Sequence, residues 1–381
     1  MQNPSARLEA KVVRKVSDIP RPEWDRLFPA VIDDYDFFRT LDESGFGQFE
    51  FFYIVVNSPD GIAAIAPCFT MDYPLDTSAG KAIKSLIAFI RKFLPKAFVL
   101  KTVICGVPIG QGNIGVRAQS PAILQAICRG MESIAGRHRS NIMAFKDFNR
   151  SYSALLSPLV NDGFIKLDSL PTAEMAISFS GFEEYLARLS HKTRYDLRRK
   201  FKKVDGRVKI EMEVTSSPDE KLLNEIYELY RGMVRRHDMG FEVAPVEFFR
   251  NVSAFMPGKA KFFLWRMDGR LVAFVFALVS GSFFSAYYLG LDYSVAEKYH
   301  LYFIRFRDII NWCLKNGIKR YDVGVTGYEP KKRLGFDFLP LDLYVKHLNP
   351  AMRPLFRAMC SFLKFENSDP VLEEIRRKRR E

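Results

Sequence analysis

Residues 271–291, LVAFVFALVSGSFFSAYYLGL, carry no charged side chain, and this stretch limits the fold more than any other. It is long enough to cross a bilayer as a helix. However, Ser280-Gly281-Ser282 divides it into two halves of strand length, both rich in Val, Phe and Tyr, which favour strands. Asp268-Gly269 just before it is a hairpin-turn pair. The pattern predicts a buried hairpin, the last two arms of a meander over 260–267, 270–279 and 282–291. A chain of 381 residues that is 48% hydrophobic can build such cores. At roughly 100–200 residues per domain it suggests two of them. Its 34 phenylalanines fit aromatic-rich β-structure.

The rest of the chain alternates between the two periodicities. Residues 22–45 read as helical, with Leu27, Phe37, Phe38 and Leu41 as core positions. FEFFYIVV (49–56) and IAAIAPCFTM (62–71) read as strands around the turn NSPDG. LIAFIRKFLPKAF (86–98) suggests a helix stopped near Pro95, and 98–109 a strand. Ser120-Pro121 is an N-cap and first helical residue for a helix with Ile123, Ile127, Met131 and Ile134 on one face. NIMAFKDF (141–148) is a further strand. A helix from Phe182 through 203, a strand at 209–215 and a helix opened by Ser217-Pro218-Asp219-Glu220 and ended by Gly240 follow. Beyond the meander come a helix over 298–316, strands at 318–325 and 340–348, and a helical tail from Pro350. FFYIVVNSPDGIAAIA (51–66) and FFLWRMDGRLVAFVF (262–276) share one layout, which favours two halves of related architecture.

GQGNIG (110–115) is formally the glycine fingerprint of dinucleotide folds. There the helix begins within the glycines, whereas here the helix signal comes only at Ser120-Pro121. A glycine-rich loop beside a cleft is the better fit. Five scattered cysteines without a C-x-x-C pair, and five histidines without metal spacing, predict no metal site and a reducing, cytoplasmic setting. Residues 1–20 lack an apolar signal core. The formal net charge of +13 attracts polyanions. It is concentrated at 188–209, where ten Lys/Arg face only Asp196 and Asp205. On a helix Arg194, Arg198 and Lys202 recur at i+4, with Arg199 and Lys203 alongside. Such a ridge suits a solvated face, nucleic acid, or bidentate grip of phosphate or carboxylate.

LSHKTRYDLRRKFKK (189–203) resembles the signature of FemAB-like acyltransferases of the GNAT superfamily. YYLGLDYSVAEKYHLYFIRFRDIINWCLKNGIKRYDVGVTGYEPKKRLGF (287–336) is similar to the same family's strand, loop, long helix, Asp-Val-Gly strand and Lys-containing loop. DDYDFFRTLDESGF (33–46) resembles its first half. The resemblance implies an α+β fold of two tandem GNAT-like domains, each a mostly antiparallel twisted sheet flanked by helices. The expected division is 1–170, 171–348 with the active site, and a basic helical tail at 349–381. The resemblance also implies transfer of an acyl or aminoacyl group to an amine. The donor would be an acyl-thioester on coenzyme A or an acyl carrier protein, or else an aminoacyl-tRNA modifying a cell-wall or other amine. The superfamily's loop Arg/Gln-x-x-Gly-x-Gly/Ala is absent before 298–316, although a helix start near Tyr299–Leu301 can bind phosphate through backbone N–H groups.

Acyl transfer to an amine needs a proton acceptor, donors for a tetrahedral oxyanion and positioning. The backbone around Tyr288–Gly290 is the expected oxyanion site. Asp322, Tyr288 and His300 are the catalytic candidates, with Tyr293 and Tyr299 on the same loop. Arg194, Tyr195, Arg198, Arg199, Tyr299 and Lys332 are carried over as substrate or cofactor anchors. A small amine acceptor is the expected partner, with no specific DNA binding. A non-enzymatic binder of nucleic acid or an anionic surface remains the rival class. The apolar, basic segment 350–365 suits either peripheral contact with the inner membrane surface or packing onto a domain.

Overall fold

The computed structural model describes residues 8–29, 31–74, 99–236, 243–362 and 369–380. The helix expected over 86–98 and the helix end at Gly240 lie outside these residues. The chain splits into two compact units: Met1–Pro29, Phe46–Leu170 and Pro340–Glu381 form the first, Ala30–Gly45 and Pro171–Leu339 the second.

The first unit opens with β1 (Glu9–Val13). The chain then leaves for helix α1 (Tyr35–Glu43), which belongs to the second unit, before returning as β2 (Glu50–Ser58) and β3 (Gly61–Pro74). Residues 22–45 are therefore two helices rather than one: a short helix Arg21–Leu27 and α1, with the break between them. After β3 come β4 (Val99–Cys105), the two-residue β5 (Gly115–Val116), α2 (Pro121–His138), β6 (Ile142–Asn149) and β7 (Ile165–Asp168). Ser120 caps α2, its Oγ accepting from the Ala122 N–H at 3.2 Å. Ile123, Ile127, Met131 and Ile134 are all buried against the sheet, which is the apolar face the spacing predicts.

The second unit starts with β8 (Thr172–Ala176). A short helix Phe182–Arg188 and α3 (His191–Asp205) follow. The single helix expected over 182–203 is broken because Ser190 caps α3, its Oγ accepting from the Thr193 N–H at 3.2 Å. Then come β9 (Ile210–Thr215) and α4 (Glu220–Arg236). The α4 cap is Asp219, whose Oδ1 accepts from the Leu222 N–H at 2.8 Å, so the helix starts later than Ser217-Pro218 suggests. α5 (Val246–Phe255) leads into the meander β10 (Ala260–Met267), β11 (Arg270–Ser280) and β12 (Phe283–Leu291). The first turn uses Asp268 and Gly269 with φ of 50° and 76°, the left-handed pair that a tight hairpin needs. β11 is buried on both faces from Leu271 to Leu278. This explains its unbroken apolar run: a strand covered on both sides loses the polar alternation of a half-exposed one. No helix among the described residues is long and apolar enough to cross a membrane.

α6 (Leu301–Lys315), β13 (Arg320–Asp322), a short helix Tyr328–Arg333 and β14 (Asp337–Leu339) complete the unit. The strand expected over 318–325 is thus only three residues long. β15 (Leu341–His347) lies between β6 and β7 in the first sheet, not at the end of the second domain where its place in the sequence puts it. The tail holds α7 (Arg353–Phe362) and α8 (Pro370–Arg380).

The two sheets have one plan. The first runs β1-β2-β3-β4-β6-β15-β7, with β5 attached to β3, and the second runs β9-β10-β11-β12-β13-β8-β14. Along each path every neighbouring pair is antiparallel except one: β4 with β6, and β12 with β13. The sixth position is filled in each case by a strand from the other side of the chain, β15 in the first sheet and β8 in the second. The echoed segments 51–66 and 262–276 occupy matching places, β2-β3 and β10-β11.

Candidate active site

The parallel pair in the second sheet ends early. β12 pairs with β13 only through Phe283–Arg320, Phe284–Tyr321 and Ser285–Asp322. β12 then continues to Leu291, held by β11 on its other side, while the chain beyond Asp322 turns off. Its exit is steered by three left-handed residues, Gly324, Thr326 and Gly327, with φ of 65°, 69° and 60°. Val323 N–H donates to the Ala173 carbonyl at 2.9 Å. A notch therefore opens between the second half of β12 and the 323–327 turn. The first sheet closes the equivalent place with its own chain. After Cys105 pairs with Phe145, the glycine-rich loop folds back. Gly112 N–H donates to the Asp147 carbonyl at 2.9 Å, and Gly112 forms a bridge with Phe148. A Cβ on Gly112 would lie 2.3 Å from the Lys146 carbonyl oxygen. GQGNIG is thus a packing loop.

Asp322 ends β13 at the notch and is 6% exposed. Its Oδ1 accepts from Thr172 Oγ1 and from the Gly324 N–H, both at 2.7 Å. Burial raises its pKa, while these two donors pull it down. The carboxylate holds the turn that forms one side of the notch. On the opposite side of that turn Lys331, also 6% exposed, donates to the carbonyls of Val323, Gly324 and Val325 at 2.9, 3.0 and 3.1 Å. Burial, and then the neighbouring Arg305, push Lys331 down to about 7, with Asp322 opposing. Three carbonyl acceptors engage all three N–H groups of an ammonium, so the hydrogen bonds favour its charged form. The sequence points to Lys332 in this loop. Lys332 is only half-buried, and the lysine that reaches the turn is its neighbour. On the short helix Tyr328–Arg333, residues 328 and 331 are one turn apart and share the buried face, a spacing that marks Lys331.

Tyr288 does not face the notch. It is buried in an aromatic cluster with Tyr230, Phe248 and Phe249, at centroid distances of 5.2, 5.6 and 5.6 Å. The register explains why. Phe276 pairs with Tyr288 and Ala277 with Ala286, leaving Tyr287 as the extra residue of a β-bulge. Tyr287 lies on the same face, its ring centroid 5.7 and 6.1 Å from those of Phe37 and Phe276. Its hydroxyl donates to Asp33 Oδ1. Burial lifts the Tyr287 phenol well above its ordinary value, with the Asp33 charge next in effect. Asp33 itself is 6% exposed. Burial lifts its carboxyl to about 7 against the Tyr287 hydrogen bond, and Asp34 and Asp322 add to the rise while Lys259 opposes it. Asp34 is occupied elsewhere. Its Oδ1 caps α1 by accepting from the Phe37 N–H at 3.2 Å, and its Oδ2 pairs with Lys259. The adjacent acids of DDYDFF are visible in the sequence, but nothing local tells the buried one from the cap.

The anchors predicted on α3 divide. Thr193, Leu197, Phe201 and Val204 form its buried face, and Tyr195 is 67% exposed. Arg194 donates to the Ala187 and Leu189 carbonyls at 3.2 and 3.5 Å, capping the preceding short helix. Arg198 pairs with Glu183. Arg199, Lys200 and Arg333 all meet Asp196. Burial opposes ionisation of Asp196, but the Lys200 and Arg199 hydrogen bonds hold it below the ordinary carboxylate range. Lys202 and Lys203 are exposed. His300 precedes α6 in a left-handed conformation, φ 49°, and no side chain caps that helix. Burial lowers the His300 pKa, and Lys200 and Lys203 push in the same direction. The basic residues of α3 are therefore within electrostatic reach of the α6 start. Tyr299, half-buried beside His300, has the Lys298 ammonium 5.0 Å from its ring centroid. Tyr293 has Arg236 at 4.4 Å. Arg305 on α6 is buried, its guanidinium 4.6 Å from Tyr302 and 4.4 Å from Phe306 ring centroids. Among the described residues no cluster of His, Cys, Asp or Glu could hold a metal ion.

The second sheet thus has one parallel pair that ends early, and no side chain caps the start of α6. Residues 191–333 match the family described as an acetyltransferase (GNAT) domain. Residues 191–333 thus carry a GNAT-type domain. Two sheets of one strand order follow one another along the chain. The crystal structure of FemX superposes with a TM-score of 0.57 at 14% identity, covering 91% of this chain and 99% of that one. The C-terminal DUF2156 domain of a provisionally named lysylphosphatidylglycerol synthetase from Agrobacterium fabrum gives 0.54 at 14%, covering 91% and 96%. Among curated proteins, the chain is 24% identical over 329 residues to a Mycobacterium tuberculosis protein provisionally named 8-amino-7-oxononanoate synthase 2, from strains CDC 1551 and H37Rv. That match covers 82% of this chain and 42% of the relative, so the chain spans about two fifths of the length of the curated relatives it matches.

Proposed function

We propose that this chain is an N-acyltransferase that moves an acyl group from a thioester on coenzyme A or an acyl carrier protein to a small amine. The observation that carries this is the early end of the β12–β13 pairing, after Ser285 and Asp322. The open edge of β12 offers backbone N–H groups around Tyr288–Gly290 to the thioester carbonyl and to the oxyanion that forms from it. The diphosphate of a coenzyme A donor, or the single phosphate of a carrier-protein pantetheine, would meet the start of α6, where the helix dipole and backbone N–H groups favour an anion. Lys202 and Lys203 add positive charge nearby. Asp322 and Lys331 keep the 323–327 turn in place, and Lys332, Arg198 and Arg199 would contact an anionic acceptor. The lowered pKa of His300 favours its neutral imidazole beside the start of α6.

A second reading, aminoacyl transfer from a charged tRNA, is favoured by the net charge of +13. A cytoplasmic site of action, against the inner membrane surface, is favoured by α7, where Leu355 is 64% exposed. Thermal-shift titration with coenzyme A, palmitoyl-CoA and charged tRNA separates the two donors, together with thiol release from acyl-CoA in the presence of amines. A shift with charged tRNA alone, and no thiol release from any acyl-CoA, would overturn the thioester reading.

A further inference from the structure

We propose that Asp33 is the proton acceptor of the transfer reaction, working through the Tyr287 hydroxyl at the β12 bulge. This deepens the acyl-transfer reading above and rests on it.

Three features place the pair there. Tyr287 follows the last residues that join β12 to β13 by only two positions, so its side chain emerges where the notch begins. The bulge leaves Tyr287 unpaired and brings Tyr288 onto the same face beside it. Asp33 is delivered by residues 30–45, which leave the early chain to pack in the second unit, where Phe37 on α1 lies 5.7 Å from the Tyr287 ring. Finally, the carboxyl is buried and accepts a hydrogen bond from the phenol. The charged groups facing Asp33 are Asp34 beside it, Asp322 at the end of β13 and Lys259 before β10. Lys259 is engaged by Asp34. Two like charges and burial outweigh this lysine, so the carboxyl gains a proton readily near neutral pH.

The neutral amine nitrogen attacks the thioester carbonyl carbon, and the C–N bond forms. One nitrogen proton passes to the Tyr287 oxygen as the Tyr287 proton passes to the Asp33 carboxylate. Collapse of the tetrahedral intermediate breaks the C–S bond, and the proton on Asp33 returns by the same route to the thiolate. The products are amide and free thiol, with Asp33 and Tyr287 restored.

The test is Asp33→Asn and Tyr287→Phe in the full chain, with acetyl-CoA and palmitoyl-CoA as donors, amino acids and amino alcohols as acceptors, and free thiol as the signal. The wild-type rate should climb as Asp33 ionises and level off above neutral pH. In Asp33→Asn kcat should fall by about 100-fold or more, the rise should flatten, and the KM for donor should stay the same. Tyr287→Phe, which keeps the ring against Phe37 and Phe276, should show the same flattening and covers the case in which Asp33→Asn does not fold. An active wild type whose folded variants keep its rate and pH profile would overturn the role of Asp33 while leaving acyl transfer intact. A wild type that releases no thiol from any donor would overturn the reaction itself, and this role with it.

Discussion

Replacing Asp33 by Asn should make the second unit more stable at alkaline pH, even if it abolishes turnover. The carboxyl is 6% exposed and lies at about 7 in place of its ordinary 3.8. The fold therefore prefers the protonated form, and ionisation there costs about 4 kcal/mol more than in the unfolded chain. For a carboxyl raised in this way the native state holds the extra proton. The penalty is absent below about 3.8, grows as pH rises and saturates once pH passes about 7. Asparagine cannot ionise, and its Oδ1 still accepts from the Tyr287 hydroxyl. Between about pH 5 and about pH 8 the wild type should lose roughly 2–3 kcal/mol relative to Asp33→Asn. Urea unfolding followed by tryptophan fluorescence suits the measurement, because Trp265 and Trp312 lie in the second unit. Each transition should be fitted separately, since two units need not unfold together. Stability curves for wild type and Asp33→Asn that run parallel across this range would contradict the raised carboxyl: Asp33 would then ionise as easily in the fold as outside it.

Gly112→Ala should destabilise the first unit by about 1–3 kcal/mol, because its Cβ would meet the Lys146 carbonyl oxygen and Phe148 at 2.3 and 2.7 Å; an unchanged melting temperature would show that the loop can move aside. Thr172→Val removes the hydroxyl that Asp322 accepts at 2.7 Å and should cost about 1–3 kcal/mol, read by calorimetry, with no loss expected only if the carboxyl finds another donor. Lys202→Glu with Lys203→Glu should weaken coenzyme A binding at low ionic strength, and the difference should shrink in high salt. The same double variant should raise the His300 pKa towards its ordinary 6.5, because Lys203 is one of the charges that lower it; a histidine NMR titration that does not move would place the α3 cations out of reach of α6.

Features set by near neighbours were legible in the sequence. Asp268-Gly269 specified a hairpin because both residues must take positive φ. The buried run over 271–278 specified a central strand, and Ser120-Pro121 specified where α2 begins. Repetition of the Phe-Phe hairpin made the two matching sheets legible, and the signature around 189–203 and 287–336 located the second. These properties depend on residues a few positions away. The remainder came from tertiary packing. It placed β15 in the first sheet and β8 in the second, because strand pairing is satisfied by any edge of suitable register, however distant in sequence. It put the bulge at Tyr287, turning Tyr288 into the aromatic cluster, since a one-residue slip moves a side chain to the opposite face. It also buried Asp33 and Lys331 and left Asp34 and Lys332 partly exposed. Adjacent residues of one type look alike in sequence. Burial by elements remote in the chain gives one of them a displaced pKa and leaves the other a cap or a half-exposed charge.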